Sequence, residues 1–280
     1  MNRRNFIKII SAAAASLASL SMPENVLAGT EMPLGGSEIK DYLHRMKDFD
    51  SPHKGDIILS PKKQALLKSS LARLKRVQHT IGFGNFYLIG FDSAIIYAGR
   101  YSSIGSFTKQ EKNFLDEIFH TKASEYGFMG DKPLSSLTGE IRKKKVIKIR
   151  GTGNYLYRGR PEETFRHIKK QLGSTVMLTS GVRGIMKQFL LFLDKAHKNG
   201  GNLSLASRSL APPGYSFHGV GDFDVGQSNL GAANFSIKFT ETETCRKLQQ
   251  LGYLKLRYPQ DNMLGVRYEP WHIKVKDAKV

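Results

Sequence analysis

Two histidines, one aspartate and one glutamate stand in two short segments of the C-terminal third. Pro212-Pro213-Gly214-Tyr215-Ser216-Phe217-His218-Gly219-Val220-Gly221-Asp222-Phe223-Asp224-Val225-Gly226 carries the first pair, and Tyr268-Glu269-Pro270-Trp271-His272 the second. Imidazole nitrogen and carboxylate oxygen bind a divalent zinc ion at about 2.0–2.2 Å, so ligands to one ion must converge closely. His218 and Asp224 are six residues apart. On a straight strand that separation is roughly 20 Å. They can share an ion only if the chain doubles back, and Gly219 and Gly221 supply the backbone freedom for that. A third ligand must come from elsewhere, and His272 is the candidate. Three ligands and one open position make a catalytic zinc site rather than a closed structural one. Glu269 precedes His272 by three residues, and Pro270 pushes it toward an extended conformation. A carboxylate held near the metal but not bound to it can take a proton from water that the zinc has made acidic. Glu269 is therefore the candidate general base. The single cysteine, Cys245, excludes an intramolecular disulfide and a zinc site built on thiolates.

At these residues the sequence resembles the zinc D-alanyl-D-alanine carboxypeptidases and dipeptidases that include the vancomycin-resistance enzymes. Ser216, His218, Gly221 and Asp224 match the family's S-x-H, Gly-containing turn and Asp. Glu269-Pro270-Trp271-His272 matches its E-x-x-H motif. Thr179-Ser180-Gly181-Val182-Arg183, followed by Gln188, resembles its S-G-x-R segment with a downstream Gln. The resemblance spans about residues 175–275. It implies one zinc ion per chain, bound by His218, Asp224 and His272, with Glu269 as base. It further implies that Arg183 polarises the scissile carbonyl or its oxyanion, a role suited to a fixed, permanently charged guanidinium. Gln188 and Ser216 would hold polar groups of the substrate. Tyr215 is either a pocket-lining residue or an ordinary turn residue, and Trp271 is given mainly a packing role. One departure stands out: the family usually places His and Asp seven apart, and here the interval is six. That leaves Asp222 as a rival ligand. The implied activity is removal of the terminal D-alanine from peptidoglycan stem peptides. The alternatives are an L,D-carboxypeptidase or endopeptidase of the same fold, or a wall-binding protein without catalysis.

These residues need a frame. Apolar spacing predicts helices over Ser37–Met46, Lys62–Gln78, Thr108–Tyr126 (capped by Thr108), Pro161–Leu172, Ile185–Lys198 and Thr240–Leu251. Short apolar runs at Phe86–Gly90, Ala94–Ala98 and Val176–Thr179 read as strands, and Arg267–Lys274 as a closing strand region. Short strands without regular helix alternation argue for an α+β fold. The resemblance makes this a small antiparallel sheet with flanking helices carrying a zinc site, as in Hedgehog and D,D-peptidase folds. Residues 29–150 are expected to form a family-specific extension or subdomain, and 151–280 the zinc peptidase domain.

The first 28 residues read as an export signal. Arg3, Arg4 and Lys8 precede an apolar run from Ile9 to Leu20, and Val26-Leu27-Ala28 fits a cleavage site. Arg3-Arg4-Asn5-Phe6-Ile7-Lys8 resembles the twin-arginine motif, which implies delivery of a folded protein to the periplasm or cell envelope. The run is too short to span a membrane, for which about 20 residues are needed, so no stable span is expected after cleavage. Removing Arg3, Arg4, Lys8 and Glu24 leaves 40 basic and 23 acidic residues, so the strong positive charge belongs to the working protein. Such a field suits polyanions. With an export signal and no nucleic-acid-binding motif, the expected partner is the sacculus and not nucleic acid. The lysine-dense Arg142–Lys148 reads either as a solvated strand edge that resists edge pairing or as a clamp on an acidic polymer.

Overall fold

The computed structural model describes residues 36–275. The export signal and cleavage site at residues 1–28 lie outside the described residues. Among those described, no helix is long and apolar enough to cross a membrane.

The chain is α+β, with helices grouped around two cores. The first core is helical. α1 (Gly36–Lys47) precedes it, and the core itself is built on α2 (Pro61–Ile81), a short turn α3 (Phe83–Phe86), α4 (Phe91–Arg100) and α5 (Lys109–His120). α2 starts where Ser60 caps it and Pro61 fits its first turn. Its Leu67, Leu71, Leu74 and Val77 are buried at helical spacing. α5 begins with a capping box between Thr108 and Glu111 and ends at His120. Ala123–Tyr126 then continues as a separate 3-10 turn.

α4 corrects the strand expected at Ala94–Ala98. Ala94 and Ala98 are buried four residues apart, with Phe91, Ile95 and Tyr97 packed against the same core. That is a helical period, which a five-residue window cannot separate from a buried strand. Phe86–Gly90 is likewise not a strand. Phe86 closes α3, and the next residues form a turn into α4.

The second core lies under a three-stranded antiparallel sheet, order β3-β4-β5. Its strands are β3 (Val176–Ser180), β4 (Phe223–Gln227) and β5 (His272–Ile273). α6 (Arg160–Leu172) and α9 (Glu243–Gln250) pack against this sheet, burying Phe165, Ile168, Leu248, Phe223, Val225 and Trp271 together. α6 has Glu162 and Glu163 in its first turn and Lys169 and Lys170 in its last, both favourable to the helix dipole. α9 starts at Glu243, capped by Thr242, rather than at Thr240, because residues 237–241 form a 3-10 turn first. β5 is shorter than the strand region expected from Arg267. Pro270 lacks an N–H, and the Glu269 N–H is taken by the Tyr258 carbonyl at 3.1 Å.

α7 (Ile185–Lys198) leads from the sheet into the first core, to which α8 (Leu203–Ser207) adds Leu203 and Ala206. α7 follows β3 directly, yet its Phe189, Phe192 and Leu193 are buried in the first core beside Leu71, Leu74 and Phe119. A two-stranded antiparallel hairpin, β1 (Val146–Lys148) with β2 (Tyr155–Tyr157), pairs Val146 with Tyr157. A line drawn at residue 150 therefore runs through a hydrogen-bonded hairpin.

Candidate metal centre and active site

Sheet register brings the two distant motifs together. Asp224 lies in the central strand, opposite His272 of β5 on one side and Ser180 of β3 on the other. Directly opposed residues have Cβ atoms about 4.5–5.5 Å apart, so the pairing alone sets Asp224 beside His272. His218 arrives by the reversal that its spacing requires. It sits on the 3-10 turn Phe217–Gly219, and Gly221 at φ 122° turns the chain back into β4. Gly219 serves differently from expectation. Its φ is not in the left-handed region, but a Cβ there would lie 2.6 Å from Leu134 Cδ1, so the residue is small because Leu134 packs on it.

His218, Asp224 and His272 each offer one ligand atom, all within 4.8 Å of one another, and all three are buried. Asp224 Oδ1 is 3.2 Å from His218 Nε2 and 3.1 Å from His272 Nδ1. Ligands around a tetrahedral ion with bonds of about 2.0 Å sit roughly 3.3 Å apart. Two imidazoles and one carboxylate at this spacing fit zinc.

The nitrogens facing away from the cluster are held from behind. His218 Nδ1 is 2.8 Å from the Gly181 carbonyl, so it carries the proton and leaves Nε2 for the cluster. His272 Nε2 is 2.9 Å from Asp222 Oδ2. Asp222 thus backs His272 and stands outside the three-residue cluster. Arg257 donates to the same Asp222 carboxylate and stacks on the Phe217 ring, while the Val275 N–H reaches Oδ1 at 2.9 Å. Such partners behind a ligand fix its tautomer and orientation.

The charges follow from these contacts. Burial lowers His218, and Arg183 adds to this, so it is neutral. Burial alone would raise Asp224, but His218 and Arg183 hold it well below the usual carboxylate range. Burial opposes the charge on His272, yet hydrogen bonds to Asp222 and Asp224 outweigh it and raise the group to about 9. The Asp222 and Asp224 carboxylates on either side of His272 thus favour its protonated form. Glu269 Oε2 lies 3.9 Å from His272 Nδ1, just outside hydrogen-bond range. Burial and the Asp224 charge raise Glu269 to about 7, against the pull of His272, Arg267 and Arg183. A carboxyl group tuned to neutrality beside a ligand cluster is suited to proton transfer.

Arg183 donates to Asp224 Oδ2 at 2.6 Å and to Ser180 Oγ at 2.8 Å, and its side chain is only 16% exposed. It is no surface ion-pair residue. A cleft lined by Arg183, Gln188, Leu191, Leu210, Ala211 and Ser216 opens beside it. Gln188 spends both ends of its amide on the backbone, donating to the Arg183 carbonyl and accepting from the Gly214 N–H, at 2.8 and 2.9 Å. That ties the arginine turn to the histidine loop. Tyr215 is not among the cleft residues. Its hydroxyl accepts from the Ala123 N–H at 3.2 Å and its ring packs edge-on against Phe128, a packing position. Trp271 is buried, with Arg267 over its ring and Phe235 at its edge.

Sequence reasoning missed Arg257, Tyr258 and Tyr157. Tyr258 lies 5.4 Å, ring to ring, from His272. The Tyr157 hydroxyl donates to the Gly219 carbonyl at 2.8 Å. None sits in a recognisable motif, and their places depend on how distant segments fold back.

Residues 160–276 match a family described as VanY, D-alanyl-D-alanine carboxypeptidase. No curated protein sequence matches the chain. Among solved structures, a vancomycin-resistance D,D-pentapeptidase VanY from a VanB-type cassette, in complex with Zn(II), is 23% identical. It aligns over 46% of this chain and 77% of its own, with a TM-score of 0.37. VanYB in complex with D-alanine-D-alanine is 21% identical, over 53% and 84%, with a TM-score of 0.41. The LdcB LD-carboxypeptidase is 23% identical, over 54% and 69%, with a TM-score of 0.37.

Proposed function

We propose, from the match of residues 160–276 to the family described as VanY, D-alanyl-D-alanine carboxypeptidase, that this protein is a zinc-dependent D,D-carboxypeptidase of peptidoglycan stem peptides. The observation that carries the reading is the buried cluster of His218, Asp224 and His272 with Glu269 beside it. In this reading those three side chains hold one zinc ion. When bound, zinc acts as a Lewis acid on the scissile carbonyl and makes water acidic enough to attack near neutral pH.

The chain's own groups do the rest. The Glu269 carboxylate takes a proton from the attacking water as its oxygen bonds to the carbonyl carbon. As the C–N bond breaks, Glu269 returns the proton to the leaving amine of the terminal D-alanine. Arg183, fixed by Asp224 and Ser180, stabilises negative charge on the carbonyl oxygen. Ser216, lining the same cleft, holds a polar group of the substrate, and Gln188 keeps the two loops in register. A substrate on the sacculus puts the protein outside the cytoplasm, delivered through the twin-arginine signal read at residues 1–28.

The test is product identity. Zinc-loaded protein is incubated with a soluble pentapeptide stem ending in D-alanine-D-alanine. Release of one D-alanine and a tetrapeptide is expected, and chelation should abolish it. A tripeptide from a tetrapeptide substrate would instead mark an L,D-bond, and an intact pentapeptide with zinc bound would end the proposal.

A further inference from the structure

The hairpin at residues 142–160 is not needed for the chemistry above, yet it is the most positively charged stretch of the described chain. It holds eight basic residues (Arg142, Lys143, Lys144, Lys145, Lys148, Arg150, Arg158, Arg160) and no acidic one. All eight side chains are exposed. Leaving Arg160 aside, the other seven form no ion pair or side-chain hydrogen bond with described residues. Protection of a sheet edge does not account for them. That device places lysine on the edge strand itself, and here only Lys148 lies in a strand, the rest standing in the turns before, between and after β1 and β2. Seven unneutralised cations on one short hairpin repel one another, a cost that a polyanionic partner would remove.

The hairpin is also bonded to the catalytic loops. The Tyr155 carbonyl accepts from the Val182 N–H at 2.7 Å, next to Arg183. The Tyr157 hydroxyl donates to the carbonyl of Gly219, next to His218. An anionic polymer lying on these cations would be held by a hairpin that is itself bonded to the loops carrying Arg183 and His218. The hairpin's apolar residues point inward: Val146, Leu156 and Tyr157 are buried, and none of the exposed large hydrophobic residues falls between 142 and 160. A membrane-binding surface pairs its cations with exposed apolar side chains, so the pattern favours a hydrated polymer over a lipid surface.

We propose that this hairpin docks the protein on the intact sacculus through carboxylates of peptide stems neighbouring the one being cleaved. The inference rests on the reading of the protein as a wall peptidase, but its test reads binding rather than cleavage. Lys143→Gln, Lys144→Gln and Lys145→Gln are combined in one variant, and its thermal unfolding is compared with the parent to verify folding. Co-sedimentation with purified sacculi should weaken roughly 10-fold, while turnover of the soluble pentapeptide stays unchanged. Binding of the parent should fall with added salt and on sacculi whose carboxylates have been amidated. Undiminished binding by the variant, or by the parent on amidated sacculi, would overturn the proposal. So would an equal loss of turnover on the soluble peptide, or stronger binding of the parent to phosphatidylglycerol vesicles than to sacculi. A parent that binds sacculi but leaves the pentapeptide intact would instead count against the catalytic reading alone.

Discussion

Asp222 Oδ2 stands 2.9 Å from Nε2 of His272, on the side of the imidazole turned away from the ligand cluster. The six-residue interval between His218 and Asp224 leaves two aspartates within reach, and the structure gives them different tasks. Asp224 faces both histidines; Asp222 braces one of them and is itself braced by Arg257. Removing a brace of this kind costs about 10–100-fold in metal affinity. Asp222→Ala is therefore expected to weaken zinc binding by that factor and to lower activity at limiting zinc. Chelator competition measures the first effect. If Asp222 were the ligand and Asp224 the brace, the variant would lose zinc outright and Asp224→Ala would keep most of it.

Zinc uptake should release a proton. His272, raised to about 9, is an imidazolium at neutral pH, held by two carboxylates. A metal can use Nδ1 only after the proton there has left, whereas His218 is already neutral. The sign follows: as pH falls below about 9, metal must compete with a proton, so apparent affinity drops. Calorimetric titration at pH 7.5, in two buffers of different ionisation enthalpy, should show roughly one proton released per zinc. Zero protons would mean that His272 is neutral in the metal-free protein.

Glu269→Gln separates binding from catalysis. Glu269 is 3.9 Å from the nearest cluster atom of His272 and lies outside the three-residue set. The amide keeps shape and burial but cannot accept a proton. The variant should hold zinc as the parent does and lose about 10²–10⁴-fold in kcat. Metal analysis and turnover of the pentapeptide check both halves. Normal turnover would remove Glu269 from the mechanism.

The pattern of success in reading the sequence has a physical origin. Ile185–Lys198 and Val176–Thr179 were legible because one face of each is apolar at the right period, and one core per element decides their form. Ala94–Ala98 was misread because a five-residue apolar run has no period to display. The convergence of His218, Asp224 and His272 was legible because such motifs are rare and Gly221 allows the reversal between the first two. The groups behind them were not. Gly181 contributes only a carbonyl, which every residue owns, and Arg257 comes from an irregular segment 33 residues after Asp224. Bracing of this kind is a property of the folded chain and leaves no local signature.

The segment before α2 provides a last test, of stability rather than catalysis. Arg208 is 5% exposed and donates to both oxygens of Asp56, at 2.8 and 3.0 Å, and to the carbonyls of Phe49 and Ser51. Asn202 adds a bond to Asp56 at 2.7 Å. Burial alone would raise Asp56, but Arg208, Asn202 and the His53 N–H overcome it and lower the group to about 2. A carboxylate with a depressed folded-state pKa stabilises the protein above its unfolded value of 3.8, and that stabilisation disappears as pH falls toward 2. The shift corresponds to roughly 2 kcal/mol. Asp56→Asn should cost about 3–5 kcal/mol at pH 7, because it leaves a buried guanidinium without its counter-charge. Urea unfolding of both proteins at pH 7 and at pH 2.5 measures the gap. It should narrow at the lower pH, where the parent too is losing the charge. A gap that stays constant would show that the pair contributes through its hydrogen bonds and packing, with its ionisation irrelevant.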